Sequence, residues 1–342
     1  LRIDKELLKR EKMKTKITGL WKSVAVIAIF LSGCTSSVSE KNVGAGLEKQ
    51  KKLRVAMVLP GKITDQSWNQ SGYEGLNRVA TELGAETAFA EQVSQPDQVE
   101  FLSDFARKNF DVVIGHGGEF QTSALDAARK YPNVLFLVNN GTQTNKNAGT
   151  VGFKQQQAGY LVGYIAAKIS KSGNIGFIGG QKIKAYEDLY SGYEAGAKAA
   201  KSDCQVLATW TNDWDDVSKG KEAALLQINQ GVDVVFPTMD NATKGSLQAA
   251  KEKNVSAIGI YYDAIKDWPD TVLQSAIIDI KGAMVETIKA IQSGEATGKS
   301  FSYGLETPSA MRLGTFSQKI PESLKEEVQG LILKIQSGDL VP

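Results

Sequence analysis

The feature that most constrains this chain is an alternation, from Leu53 onward, of short apolar runs with amphipathic stretches. Leu53–Leu59 reads as a strand, and Tyr73, Leu76, Ala80 and Leu83 follow it at helical spacing. Val99, Leu102 and Ala106 mark a second helix, then Asp111–Gly115 a strand, Gln121–Lys130 a helix and Val134–Val138 a strand. After a polar loop at Asn139–Asn147 the pattern restarts. Gln157–Ser170 reads as helix, Asn174–Ile178 as strand, Tyr190–Ala200 as helix and Val206–Trp210 as strand. Val217, Ala224, Leu225 and Ile228 share a helix face, followed by strand Val232–Phe236, helix Ser246–Lys253 and strand Ala257–Ile260. Apolar strands joined by helices form parallel sheets covered on both faces. Two such series, divided near Phe153, predict an α/β chain of two doubly wound lobes. The 342 residues suffice for a core in each.

Composition narrows the chemistry. The chain carries +2 net charge, which gives no case for nucleic-acid binding by bulk charge. One histidine, His116, and two cysteines, Cys34 and Cys204, leave little for a zinc site or a Ser-His-Asp triad. No Gly-x-Ser-x-Gly elbow accompanies His116, which reads as a loop or hinge histidine. Gly176-Phe177-Ile178-Gly179-Gly180 lacks the dinucleotide-turn spacing, and there is no Walker lysine motif. Cys204 reads as a buried neighbour of the strand Val206–Trp210.

The front end reads as an address. Residues 1–33 hold eight Lys/Arg and three acids, so the positive balance comes from here and the remainder is nearly neutral. Lys14, Lys16 and Lys22 precede an apolar run of eight residues, Val24–Leu31, which fits a signal-peptide core and is too short to span a bilayer. It ends in Leu31-Ser32-Gly33-Cys34, which resembles a bacterial lipobox, with Cys34 as the lipidated residue. A Ser-, Gly- and Lys-containing stretch then runs to Lys52 and reads as a flexible tether. The protein is expected outside the cytoplasm, lipid-anchored at the cell membrane on its periplasmic or outer face.

Ligands of doubly wound sheets bind beyond the carboxyl ends of the strands. In the first half those ends carry Asp65, Trp68, Asn69, His116, Asn139 and Asn140; in the second, Trp214, Asp240, Tyr261 and Asp263. Aromatic, carboxylate and amide groups suit a flat ligand with a polar rim. Each has a plainer reading: Trp68 as core, Asp65 as a helix cap, Asp240 as a turn or cap residue, Asn140 as an Asx turn before Gly141.

The run Asp65-Gln66-Ser67-Trp68-Asn69-Gln70-Ser71-Gly72-Tyr73-Glu74-Gly75 resembles a signature of the basic membrane protein family, substrate-binding lipoproteins of ABC importers that include purine nucleoside receptors. Phe153-Lys154 with Gly159-Tyr160-Leu161-Val162-Gly163, and Gly192-Tyr193-Glu194-Ala195-Gly196-Ala197, are similar to later segments of that family. The resemblance runs from Leu53 to the C-terminus. It implies a type I periplasmic-binding-protein fold whose lobes are joined by a hinge and close on ligand. The expected division is a signal peptide over 1–34, a tether over 35–52, a first lobe over 53–153 plus about 279–300, and a second over 154–278 plus about 301–342.

By the same resemblance Asp65, Trp68 and Asn69 contact ligand from the first lobe and Trp214 stacks from the second, with Asn140, Asp240 and Asp263 completing the expected set. Asn140 stands where many members have Asp, Tyr261 replaces the first acid of an Asp-x-Asp-Gln motif, and Ile278 falls near a lysine associated with nucleoside binding. These departures lean toward a free base over a nucleoside. The expected partners are a purine base or nucleoside, ABC permease subunits and the membrane through the lipid anchor, with no nucleic acid, no cofactor and a monomeric protein. Other readings are a sugar or autoinducer receptor, or an extracytoplasmic sensor for a signalling kinase. Enzyme chemistry is not expected. The lipobox, and the lack of an N-terminal DNA-binding helix pair, argue against a cytoplasmic repressor.

Overall fold

The computed structural model describes residues 52–65, 68–295 and 298–342. The expected signal peptide with Cys34, and the expected tether up to Lys51, lie outside these residues. The first lobe is built from β1 (Arg54–Val58), α1 (Trp68–Leu83), β2 (Glu86–Ala90), α2 (Gln98–Arg107), β3 (Val112–His116), α3 (Gln121–Lys130), β4 (Leu135–Asn139) and β5 (Ala148–Phe153). The second holds α4 (Gln155–Ile169), β6 (Asn174–Gly179), α5 (Lys184–Ala200), β7 (Gln205–Trp210), α6 (Val217–Asn229), β8 (Val234–Thr238), α7 (Ala242–Glu252), β9 (Ser256–Ile260) and β10 (Val272–Ile278). The chain then returns through α8 (Ile280–Gln292) and β11 (Ser300–Tyr303) to the first lobe, and ends with β12 (Met311–Leu313) and α9 (Glu322–Ser337) on the second.

The two sheets share one winding. Their orders are β11-β5-β4-β3-β1-β2 and β12-β10-β9-β8-β6-β7. All pairings are parallel except β10 with the short β12. Residues 55–58, all of β3 and β4, all of β8 and all of β10 are buried, as expected of strands covered on both faces. The period of two decides which layer each residue feeds. Val55 and Met57 meet Leu76 of α1 and Met284 of α8, while Ala56 and Val58 meet Phe105 and Phe120 on the other face. In the second lobe Phe177, Phe236 and Ile258 pack with Tyr193 of α5 and with Val328 of α9.

The glycine-rich segments of α4 and α5 are a packing device. A Cβ on Gly163 would stand 2.0 Å from the Tyr193 carbonyl oxygen, and one on Gly196 1.9 Å from that of Tyr160. The two helices therefore touch backbone to backbone, which only glycine permits.

Three passages join the lobes: Phe153 to Gln155, Ile278 to Ile280, and Tyr303 to Met311. Each leaves from the carboxyl end of a strand. The first and third are tied together by Lys154 N–H to the Tyr303 carbonyl at 2.8 Å, by Leu305 N–H to Gln157 Oε1 at 2.9 Å, and by Lys154 Nζ to Glu306 Oε1 at 2.7 Å. Phe153 packs against both cores. The third passage falls at residues 304–310, a little beyond the division expected near 300. The reason is that Ser300–Tyr303 pairs in parallel with Thr150–Phe153 and so extends the first sheet.

Candidate ligand site

In a doubly wound sheet the strand order reverses at one point, and the crevice beyond the strand ends there is where ligands collect. That point lies between β1 and β3 in the first lobe and between β6 and β8 in the second. Trp68 follows β1 and His116 ends β3; Gly180 follows β6 and Asp240 follows β8.

Asp65 starts α1. Its Oδ2 accepts from Asn69 N–H at 3.0 Å and Nδ2–H at 2.7 Å, and its Oδ1 from Gln70 N–H at 3.0 Å. The carboxylate thus satisfies donors that a helix start leaves unpaired. Asn69 Oδ1 accepts from Gly61 N–H at 3.0 Å, fastening the loop after β1 to the helix. Asp65 and Asn69, expected as ligand contacts, therefore engage the loop that carries Trp68. His116 lies in the strand end and is fully buried, where a loop or hinge position was expected. Its ring stacks on Trp68 with centroids 4.1 Å apart and planes 17° apart. Desolvation lowers its pKa to about 4, against the small raising effects of the Trp68 carbonyl and the Asp65 charge. Asn140 turns the chain after β4 in the left-handed region, φ 59°, with its N–H on the Val151 carbonyl at 2.7 Å.

The second lobe holds Trp214 equally firmly. The Trp214 carbonyl accepts from Asp240 N–H at 3.0 Å and Ala242 N–H at 3.1 Å. A Cβ on Gly180 would stand 2.3 Å from the indole, so the ring lies against bare backbone. Tyr186, in the first turn of α5, packs on the same indole at 4.7 Å between centroids. The preceding Asp213 accepts from Lys219 Nζ at 2.8 Å and from Asp215 and Asp216 N–H at 3.0 Å each. The Lys219 bond, then the two N–H groups, bring its pKa down to about 2.

Tyr186 and Tyr261 join through their hydroxyls. Burial raises both phenols, and the nearby Asp240 charge adds to this in each, so both stay protonated at neutral pH. Tyr261 stands at φ 68°, an uncommon conformation for a bulky residue, of the kind that costs roughly 1–3 kcal/mol and recurs at functional sites. Asp263 is directed elsewhere: it accepts from Thr315 N–H at 3.0 Å and Oγ1–H at 2.7 Å, pinning the loop after β12. Ile278 is buried in β10.

The structure thus assembles two clusters, Trp68 with His116, Asp65 and Asn69, and Trp214 with Tyr186, Tyr261 and Asp240. Tyr186 lies outside the helix that the apolar spacing marks from Tyr190; its place six residues after Gly180, just past the strand end at the reversal point, was the available signal. Two open hollows, about 230 Å³ beside Leu53 and Glu295 and about 320 Å³ beside Lys154 and Gly338, belong to neither cluster. Among the described residues no group of three or more His, Cys, Asp or Glu could hold a metal ion, and no helix is long and apolar enough to cross a membrane.

Two parallel-sheet lobes, three passages and aromatic–acidic clusters at both reversal points define a two-lobed binding protein of the type I periplasmic fold. Residues 52–334 match the Bmp family, described as ABC transporter substrate-binding protein PnrA-like, and the chain belongs to that family. Its members are binding proteins and not enzymes. The chain is 26% identical over 307 residues to Transcriptional activator protein med of Bacillus subtilis (strain 168), covering 90% of this chain and 93% of the relative. It is 25% identical over 303 residues to a purine-binding protein of Brucella abortus (strain 2308), covering 88% and 85%. A crystal structure of a transcriptional activator from Bacillus halodurans superposes with TM-score 0.76 at 22% identity, covering 84% of this chain and 99% of that one. A solute-binding protein of an ABC transporter from Aeropyrum pernix K1 gives 0.72 at 22% identity, covering 84% and 92%.

The depressed histidine has a measurable consequence. The unfolded chain protonates His116 below its ordinary 6.5, the folded chain only near 4. Stability conferred by the neutral ring is therefore complete above about pH 6.5 and drains away as the pH falls toward 4, by about 3 kcal/mol in all. Urea denaturation across this range should show His116→Phe losing less stability than wild type. Parallel profiles for the two proteins would contradict the assignment.

Proposed function

We propose that this protein is a membrane-tethered receptor that binds a purine base between its lobes and delivers it to an ABC permease. The observation that carries this reading is the pair of half-buried tryptophans, each packed against a second ring: Trp68 after β1 at the first reversal point, and Trp214 after the edge strand β7 with its indole against Gly180 at the second. A flat heteroaromatic ligand uses such surfaces on both faces. The purine-binding name of the Brucella abortus relative supports the ligand class.

In this reading Trp68 and Trp214 stack on the ring, and Asp240 accepts hydrogen bonds from ring or exocyclic N–H groups. Asn140 lies at the rim. Asp65, Asn69 and Asp263 act by holding loops in place. By the family resemblance Tyr261 replaces an acid and Ile278 falls near a lysine associated with nucleoside binding, so in this reading ribose adds little and the free base binds at least as tightly as its nucleoside. Function is binding and closure with no bond chemistry: ligand that touches both lobes shifts the population toward the closed form, which the permease then meets.

The anchor belongs to the same proposal. Cys34, lipidated after cleavage, holds the receptor at the membrane surface, with two or more acyl chains giving stable retention. Mass spectrometry of membrane-extracted protein should find an acylated Cys34 at its N-terminus, and Cys34→Ser should leave unprocessed precursor. Normal cleavage and full membrane retention of Cys34→Ser would count against it.

Calorimetric titration with adenine, guanine, their nucleosides and a panel of sugars tests the ligand. Trp68→Ala and Trp214→Ala should each cost about five- to 150-fold in affinity, nearly alike for all purines. Asp240→Asn should cost about 1.5–3 kcal/mol and change which base is preferred. Unaltered affinity in both tryptophan variants would refute the stack. Nucleosides binding about a hundredfold tighter than bases would refute the free-base reading, and tight binding of a sugar alone would replace the ligand class.

A further inference from the structure

The bond between His116 and Trp68 is reciprocal. Trp68 Nε1–H lies 3.3 Å from the His116 carbonyl, and His116 Nε2 lies 2.9 Å from the Trp68 carbonyl. A carbonyl cannot donate, so Nε2 must carry the proton. A neutral imidazole has only one, so Nδ1 is left as an acceptor. Asn139 Nδ2 stands 2.7 Å from Nδ1 and supplies the N–H, which leaves the buried Asn139 Oδ1 without a partner. The opposite amide orientation would spend that oxygen on Nδ1 and set a bare Nε2 against the Trp68 carbonyl. Asn139 is itself fully buried at the end of β4. Gly72 completes the enclosure: a Cβ there would stand 2.5 Å from His116 Nε2, so α1 can lie this close only with glycine at that turn.

Such an arrangement does more than fill a core. Apolar side chains at both 116 and 139 would fill the space with no buried polar atom left unpaired. Here one hydrogen bond and a ring stack hold the indole at the reversal point of the first sheet, while the imidazole's own bond holds the backbone carbonyl of the same residue.

We propose that His116, in its Nε2–H tautomer, is a positioning residue that sets the plane of Trp68 for the ligand, with Asn139 selecting the tautomer. The proposal rests on Trp68 being a ligand contact, as argued above. His116 acts through Trp68 and need not touch the ligand. Its loss leaves the indole free to tilt, so binding weakens although every contacting group is still present.

The chain has a single histidine, so its ring signals need no assignment. Nitrogen-15 NMR of the labelled protein at neutral pH should show protonated Nε2 and hydrogen-bonded, unprotonated Nδ1. Saturating adenine should shift both signals, which a histidine serving only the core would not do. In calorimetry with adenine, His116→Phe, which keeps a ring and the backbone carbonyl facing the indole N–H but loses the imidazole's bonds to the Trp68 carbonyl and to Asn139, should bind about fivefold more weakly. His116→Gln, which restores a donor for the Trp68 carbonyl and an acceptor for Asn139, should recover part of that loss. An Nδ1–H tautomer, ring signals indifferent to adenine, or wild-type affinity in both His116 variants while Trp68→Ala weakens binding, would each overturn the proposal. If Trp68→Ala itself binds as wild type, the reading of the site fails, and the role of His116 fails with it.

Discussion

Every passage of the chain between the lobes leaves from the carboxyl end of a strand, and both sheets are parallel but for one short edge strand. That constraint brings the carboxyl ends of both sheets to the side of the crossovers. Loops that follow β1, β3 and β4 in one lobe, and β6 to β9 in the other, are committed to it before any side chain is considered. The reversal of strand order in each sheet then opens one crevice per lobe. Trp68 sits at the first of these places, and the indole of Trp214, reaching from the edge strand β7, lies against Gly180 at the second.

The two crevices reach rigidity by different chemistry. In the first, Asp65 caps α1 and a neutral His116 supports the indole, so the cluster is held by hydrogen bonds and stacking. In the second, Asp213 gathers two backbone N–H groups and Lys219, the Trp214 carbonyl takes two more N–H groups, and Asp240 lies close to two protonated phenols. Under the proposed function both would leave little for a ligand to order on arrival. Binding proteins gain affinity this way, because the entropy of fixing the site is met in folding and not at the moment of binding.

Much of this was legible in the residues. The helix Gln121–Lys130 and the strands around Val55, Val113, Leu137, Ile175 and Val235 follow from apolar runs and helical spacing, which burial on both faces demands. Strand β2, Glu-Thr-Ala-Phe-Ala, lies at an edge and is half-exposed, so it has no apolar run to read. β11 and β12 have four and three residues and exist through their partners, β5 and β10. At the site, the positions of Trp68, Trp214 and Asp240 were readable from their place after strands. The capping role of Asp65 was readable too, but what Asn69 and Asp263 bond to was not, since Gly61 and Thr315 are brought to them only by tertiary structure. The burial of His116 was hidden for the same reason: nothing local tells a strand-end histidine from a loop one, and the facing Gly72 is a whole helical turn beyond Trp68.

The central claim is that one planar ligand is held jointly by the two tryptophan clusters. A crystal structure of the protein grown with adenine tests it most directly. The purine should lie between the Trp68 and Trp214 rings at stacking distance, with an N–H directed at Asp240 and the His116 ring still stacked beneath Trp68. Adenine bound against only one lobe, or outside both clusters, would contradict it.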